Sequence, residues 1–148
     1  MSIDEAVLRA QIAAGSQNDL WQLAGTRGLP EWAYQAILER GDEVVLSSLA
    51  MNYECPPSIL ATIAAQGGDI ATFARRNPNA SPETKDPSSL GAQSARSVDL
   101  YLTARNATQE QRVRFAALHR ISPVDDGPSV GEAWLQINQE MAGQDGTE

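Results

Sequence analysis

LERGDEVVLSSLAMNYECPPSILATIAAQGGDIATFARRNPNASP, residues 38–82, overlays on itself and on the segment before it when written in rows of 25. Leu20, Val45 and Ile70 share one column; Ala24, Leu49 and Ala74 share a second; Ala13, Leu38 and Ile63 share a third. Arg27, Asn52 and Asn77 close the rows, each followed by a proline: Pro30, Pro57 and Pro82. Apolar columns at such a period are what stacked helical repeats produce, because one unit cannot bury its apolar face alone. The expected fold is all-α: a right-handed α-solenoid of about four to five repeats of ~25 residues.

Composition agrees with short helices packed closely. Of 148 residues 42% are hydrophobic but only 5% aromatic, so the core must be built from Ala, Leu, Ile and Val. No run alternates apolar and polar over six or more residues, which argues against strands. Cys55 is the single cysteine, so an internal disulfide is impossible and a reducing compartment is expected. The opening MSIDEAVLRA is acidic and amphipathic, unlike a signal peptide, and no stretch approaches the ~18 apolar residues of a membrane span. These features lead to an expected cytoplasmic location with no membrane contact.

Taken in order, the chain reads as helix, glycine, short helix, proline turn. Ser2 with Glu5 forms a capping box before Ile3, Val7, Leu8 and Ile12, and Gly15 is expected to end that helix as a left-handed cap. Asn18 or Asp19 caps a short helix stopped by Gly25 and Gly28. Pro30 opens the next helix, where its missing N–H is not needed. Asp42 or Glu43 opens the fourth, the Cys55-Pro56-Pro57 break precedes the fifth, and Asp69 is expected to cap the sixth, over Ile70 to Arg76. From Lys85 the register lapses: Pro87 forbids a continuous helix, and residues 85–97 are expected to be a short helix and the least ordered internal loop. Val98 and Leu102 resume the pattern. Thr108 with Gln111, and Ser129 with Glu132, are further capping boxes. The last helix carries the stripe Val130, Ala133, Trp134, Ile137 and Met141 and would close the core as a capping helix. The expected organisation is one domain over 1–142, in units of about 3–27, 28–53, 54–79, 80–106 and 107–142, with an acidic tail at 143–148.

The stretch DEVVLSSLAMN…CPPSILATIA…GGDIATFARRNPNASPE resembles the variant leucine-rich repeat family, clearly over residues 28–84, weakly over 3–27 and in degenerate form over 85–121; helical repeats of the HEAT type can imitate its loose motifs. The resemblance implies a right-handed solenoid that pairs a helix with a shorter one, and a role in binding other macromolecules without catalytic residues. Some relatives carry an iron–sulfur cluster on a cysteine-rich segment; with one cysteine that cofactor does not carry over, and no cofactor is expected.

Net charge is −8, unevenly spread. Residues 1–74 hold three basic and nine acidic groups, residues 75–120 eight basic and four acidic, and residues 121–148 six acidic and no basic. The basic stretch comprises Arg75, Arg76, Lys85, Arg96, Arg105, Arg112, Arg114 and Arg120, mostly the residue suited to bidentate contact with carboxylate or phosphate. Arg75, Arg76, Arg96, Arg105, Arg112 and Arg114 are therefore the candidate binding surface, against the alternative of a solvated face. His119, the single histidine, has no nucleophile placed beside it by sequence and suits a helix C-terminus. Cys55 near a helix start could be a reactive thiol, but a buried small residue is the simpler reading. Asp42, Glu43 and Asp69 read as helix caps. Metal-ligand spacing and phosphate-binding glycine loops are missing from the sequence. The expected function is non-enzymatic binding of another protein or self-assembly, as an adaptor or structural subunit. The alternative is nucleic-acid binding through residues 75–120.

Overall fold

Helix starts in this chain are written by prolines and short polar side chains, and the observed elements follow them. The computed structural model describes residues 4–146. These residues are all-α, with one isolated bridge between Ser89 and Ser129 and no strand among them. The helices are α1 (Glu5–Ala14), α2 (Gln17–Ala24), α3 (Glu31–Arg40), α4 (Glu43–Met51), α5 (Pro57–Ala65), α6 (Gly68–Arg76), α7 (Pro82–Lys85), α8 (Ala95–Ala104), α9 (Gln109–Ile121) and α10 (Val130–Gly146), with a 3₁₀ turn at Leu90–Ala92. Two compact units result, Met1–Ala80 and Ser81–Glu148, and their boundary falls where the 25-residue register lapses.

Several starts differ from the sequence expectation for local reasons. Asp4 caps α1 by accepting from the amides of Ala6 and Val7; of the expected Ser2–Glu5 box, Ser2 lies outside the described residues. Ser16, not Asn18 or Asp19, caps α2, and Asp19 answers it from the third position in a reciprocal box. Gly15 is extended (φ −69°) rather than left-handed. The box that begins at the very next residue, Ser16, requires the chain to leave α1 extended, so the left-handed exit is not used. Asp42 caps α4 through the Val45 amide, as expected.

Within Met1–Ala80 the helices form two rows. In one, α1 packs on α3 and α3 on α5; in the other, α2 packs on α4 and α4 on α6. The columns Leu20/Val45 and Ala24/Leu49/Ala74 are buried, while Ile70, expected to be buried with the first, is only partly so. The third column is not Ala13/Leu38/Ile63: Ala13 is exposed and Leu38 only partly buried. The buried positions are Leu8, Ala33 and Ile59, and Ile12, Ile37 and Ile63, spaced by 25 and then 26 residues. The extra residue enters at Cys55-Pro56-Pro57, and the joint before α6 is one residue shorter to restore the register. Gly67 and Gly68 both take positive φ (77° and 76°) to make that short joint, a conformation unfavourable for residues with a Cβ. Gly67 is consequently the N-cap of α6, and Asp69 lies in its first turn rather than capping it.

Asparagines tie one row to the next. The Asn52 Nδ2 donates to the carbonyls of Ala24 (2.8 Å) and Thr26 (3.1 Å), one repeat earlier. Asn77 repeats the device on Ala50 and Asn52, at 2.9 Å each. In both residues Oδ1 turns the chain by accepting from the amide two residues on, Glu54 or Asn79. These carbonyls lie at or just past the ends of α2 and α4, where the helix supplies no partner of its own.

In Ser81–Glu148 the core is Leu90, Val98, Tyr101, Leu102, Phe115, Val130, Ala133 and Ile137, with Trp134 edge-on to Tyr101 (6.2 Å between ring centres). The segment 85–97, expected as the least ordered, is instead the unit's polar centre. Lys85, Ser88, Leu90, Gln93 and Ser97 are all buried. Lys85 Nζ donates to the Ser97 carbonyl (3.0 Å), Ser97 Oγ donates to Gln93 Oε1, and Gln93 Nε2 donates to Ser88 Oγ (3.0 Å). Ser88 and Leu90 also pair with Val130 and Pro128 through backbone hydrogen bonds. Gly91 permits the backbone of Pro123 to come close: a Cβ there would stand 2.0 Å from the Pro123 carbonyl oxygen. The expected boxes Thr108–Gln111 and Ser129–Glu132 are present. Helix α10 continues to Gly146, past the start of the expected tail.

Lys85 gives the unit a pH signature. Burial pulls its ammonium down from 10.5 to about 8. Between these values the unfolded chain binds more protons than the folded one, so stability rises with pH across that window. Below about pH 8 the cost of the buried charge is fully present. Urea unfolding at pH 7.5 and at 9.5 therefore shows the wild type gaining stability at the higher pH, relative to Lys85→Met. Parallel changes in the two proteins would show that Lys85 keeps its ordinary titration.

Candidate functional site

The short helices α2, α4 and α6 lie side by side, and large apolar side chains are exposed on them. Trp21 on α2 (46% exposed), Val44 and Met51 on α4 (62% and 63%), Tyr53 just after α4 (59%) and Phe73 on α6 (40%) all face solvent. They line a groove of two hollows. The larger, about 470 Å³, is bounded by Trp21, Arg27, Val44, Ser48, Met51 and Tyr53. The smaller, about 170 Å³, is bounded by Met51, Tyr53, Phe73, Arg76 and Asn77. Met51 and Tyr53 border both, so the hollows adjoin across these two side chains.

The groove is held from beneath by the buried columns. Leu49 and Ala50 anchor the inner side of α4 while Met51, at its last turn, faces out. The Asn52 side chain fixes the loop that carries Tyr53, and Ser48 Oγ donates to the Trp21 carbonyl (3.2 Å), tying α4 to α2. Aromatic residues, methionine and arginine are the types enriched where proteins bind one another.

The sequence-predicted arginines are distributed differently. Arg75 and Arg76 end α6, and Arg76 lines the smaller hollow. In the second unit Arg105 bonds Asp86 (2.8 Å), lies 3.8 Å from Glu83 and rests over the Tyr101 ring, while the Tyr101 hydroxyl donates to the same Asp86. Burial, and then the bond to Asp86, raise the Tyr101 phenol above its ordinary value. Arg112 bonds Asp99 (2.9 Å) and Thr103, and Arg114 bonds Glu110 (3.1 Å). Arg96 is exposed on α8 and forms no ion pair among the described residues. Three of the four candidate arginines of this unit thus carry neighbouring carboxylates, and Lys85 is in the core.

The possible catalytic groups have structural settings. Cys55 is fully buried, and burial pushes its thiol up to about 12, which removes the thiolate that reactivity needs. His119 Nε2 lies 2.8 Å from the Gln93 carbonyl oxygen, and so serves as its hydrogen-bond donor. Among the described residues no group of His, Cys, Asp or Glu is placed to hold a metal ion. No described helix is long and apolar enough to cross a membrane. Comparisons with family models, with curated proteins and with solved structures find nothing that matches this chain.

Trp21, Met51, Tyr53 and Phe73 were absent from the sequence-derived surface. Their signal was legible, however. Each is a large apolar residue outside the buried columns, and Phe73 stands in register with the polar Ser48 of the row before.

Proposed function

We propose that this chain is a non-enzymatic helical-repeat module that binds another protein through the groove on α2, α4 and α6. The repeats of Met1–Ala80 are read as α-solenoid units of the variant leucine-rich repeat kind. The role is that of an adaptor or a structural subunit of a larger assembly. The observation that carries this reading is the gathering of exposed Trp21, Val44, Met51, Tyr53 and Phe73 around two adjoining hollows. Large apolar side chains gathered into one exposed groove mark interaction sites, whereas singly scattered ones do not. The two-row packing beneath it, repeated through the Asn52 and Asn77 hydrogen bonds, supports a rigid platform.

Purification of the tagged chain from the cells that express it, beside a Met51→Glu/Phe73→Glu variant, tests the reading. A protein that accompanies the wild type at stoichiometric level is expected to be lost from the variant. Both substituted side chains are exposed, so the variant should keep its helical circular dichroism, with stability altered by about 0.5 kcal/mol per site. Equal recovery of the same partner by both proteins would place the binding surface elsewhere. Recovery of material that nuclease removes would favour the nucleic-acid alternative.

A further inference from the structure

The charge of the groove is opposite to that of the unit that carries it. Residues 1–80 hold nine acidic and five basic groups, yet the charged side chains lining the two hollows are Arg27 and Arg76, with no carboxylate among the lining residues. Arg27 borders the larger hollow and Arg76 the smaller, so an arginine marks each side of the shared Met51–Tyr53 ridge. Arg27 is 83% exposed and reaches Glu54 only at 4.0 Å, a loose pair. Arg76 is exposed at the end of α6 and forms no ion pair among the described residues. An exposed guanidinium so placed can take a carboxylate in a bidentate bond once a partner excludes water.

We infer that the groove takes a short segment of a partner protein carrying two large apolar side chains flanked by carboxylates. This rests on the protein-binding reading above and adds the chemistry of the ligand. The two hollows receive the apolar side chains over Met51 and Tyr53, and Arg27 and Arg76 receive the acids. Three neighbouring helices at a spacing of ~10 Å are ~20 Å across, a distance that about six extended residues cover. Sparse carboxylates suit two arginines. A phosphate backbone places a charge at every nucleotide and would meet the unit's acidic excess, so a peptide is favoured over a nucleic acid.

The probe is a displayed library of random peptides about twelve residues long, twice that span, selected on the full chain. Enriched sequences are expected to contain Asp or Glu beside Phe, Leu, Trp or Ile. By fluorescence anisotropy, an enriched peptide should lose about tenfold or more in affinity when its acids become amides, and as much against Arg27→Glu/Arg76→Glu. The charge-reversed protein should prefer the same peptide with lysines in place of its acids. Circular dichroism melting of that variant should match the wild type. Enriched peptides that are neutral or basic, or whose binding ignores the two reversals, would overturn the inference while leaving the groove a protein-binding site. No enrichment, undiminished binding to Met51→Glu/Phe73→Glu, or displacement of the peptide by a single-stranded uridine oligonucleotide would overturn both.

Discussion

Leu49→Ala lowers the stability of the Met1–Ala80 unit by about 2–5 kcal/mol, the range for truncating a fully buried leucine. Leu49 has no exposure and sits on α4, which packs against both α2 and α6. Its column mates are Ala24 and Ala74, whose methyl groups cannot swing into the space left behind. The cavity therefore persists, and the cost should fall in the upper part of that range. Urea unfolding followed by fluorescence reads it, since Trp21 and Trp32 report on this unit and Trp134 on the other. The transition of the first pair should move to lower urea. An unchanged midpoint would show that α4 turns a different face to the core.

Asn77→Ala is expected to cost about 2–3 kcal/mol, as removing a buried hydrogen-bonding group strands its former partners. The Ala50 and Asn52 carbonyls lose their Nδ2 donor, and the Asn79 amide loses the Oδ1 that fixes the turn. A control lies in the same column. Arg27 occupies the position of Asn52 and Asn77 in the row before, and it is exposed. Arg27→Asn should change stability by no more than ~0.5 kcal/mol, the usual scale for an exposed site. A large loss in the Arg27 variant beside a small one in the Asn77 variant would mean that the column does not tie repeat to repeat.

Much of the fold could be read along the chain because its determinants are local. Proline at Pro30 and Pro57, the Asp42 cap and the Thr108–Gln111 box each act within one helical turn, and each marks a helix start in the structure. The period was legible for a related reason: Val45 and Leu49 recur against Leu20 and Ala24 at the same phase of a helix, so burial leaves a trace in composition. The candidate site was only partly legible, through Arg76 alone of the six arginines.

What tertiary structure decided is whatever depends on contacts between distant residues. The one-residue slip at Cys55-Pro56-Pro57 moved the buried column from Leu38 to Ile37, a shift that a fixed period cannot show. Lys85 looked like a surface charge until Ser97, twelve residues on, supplied its carbonyl in the core. Arg105 and Arg112 were spent on Asp86 and Asp99. The groove itself joins Trp21 to Phe73 by way of Met51 and Tyr53, across 52 residues of sequence. Local chemistry sets where each helix begins and which face is apolar. The composition of a surface built from three helices follows only when packing has set them side by side.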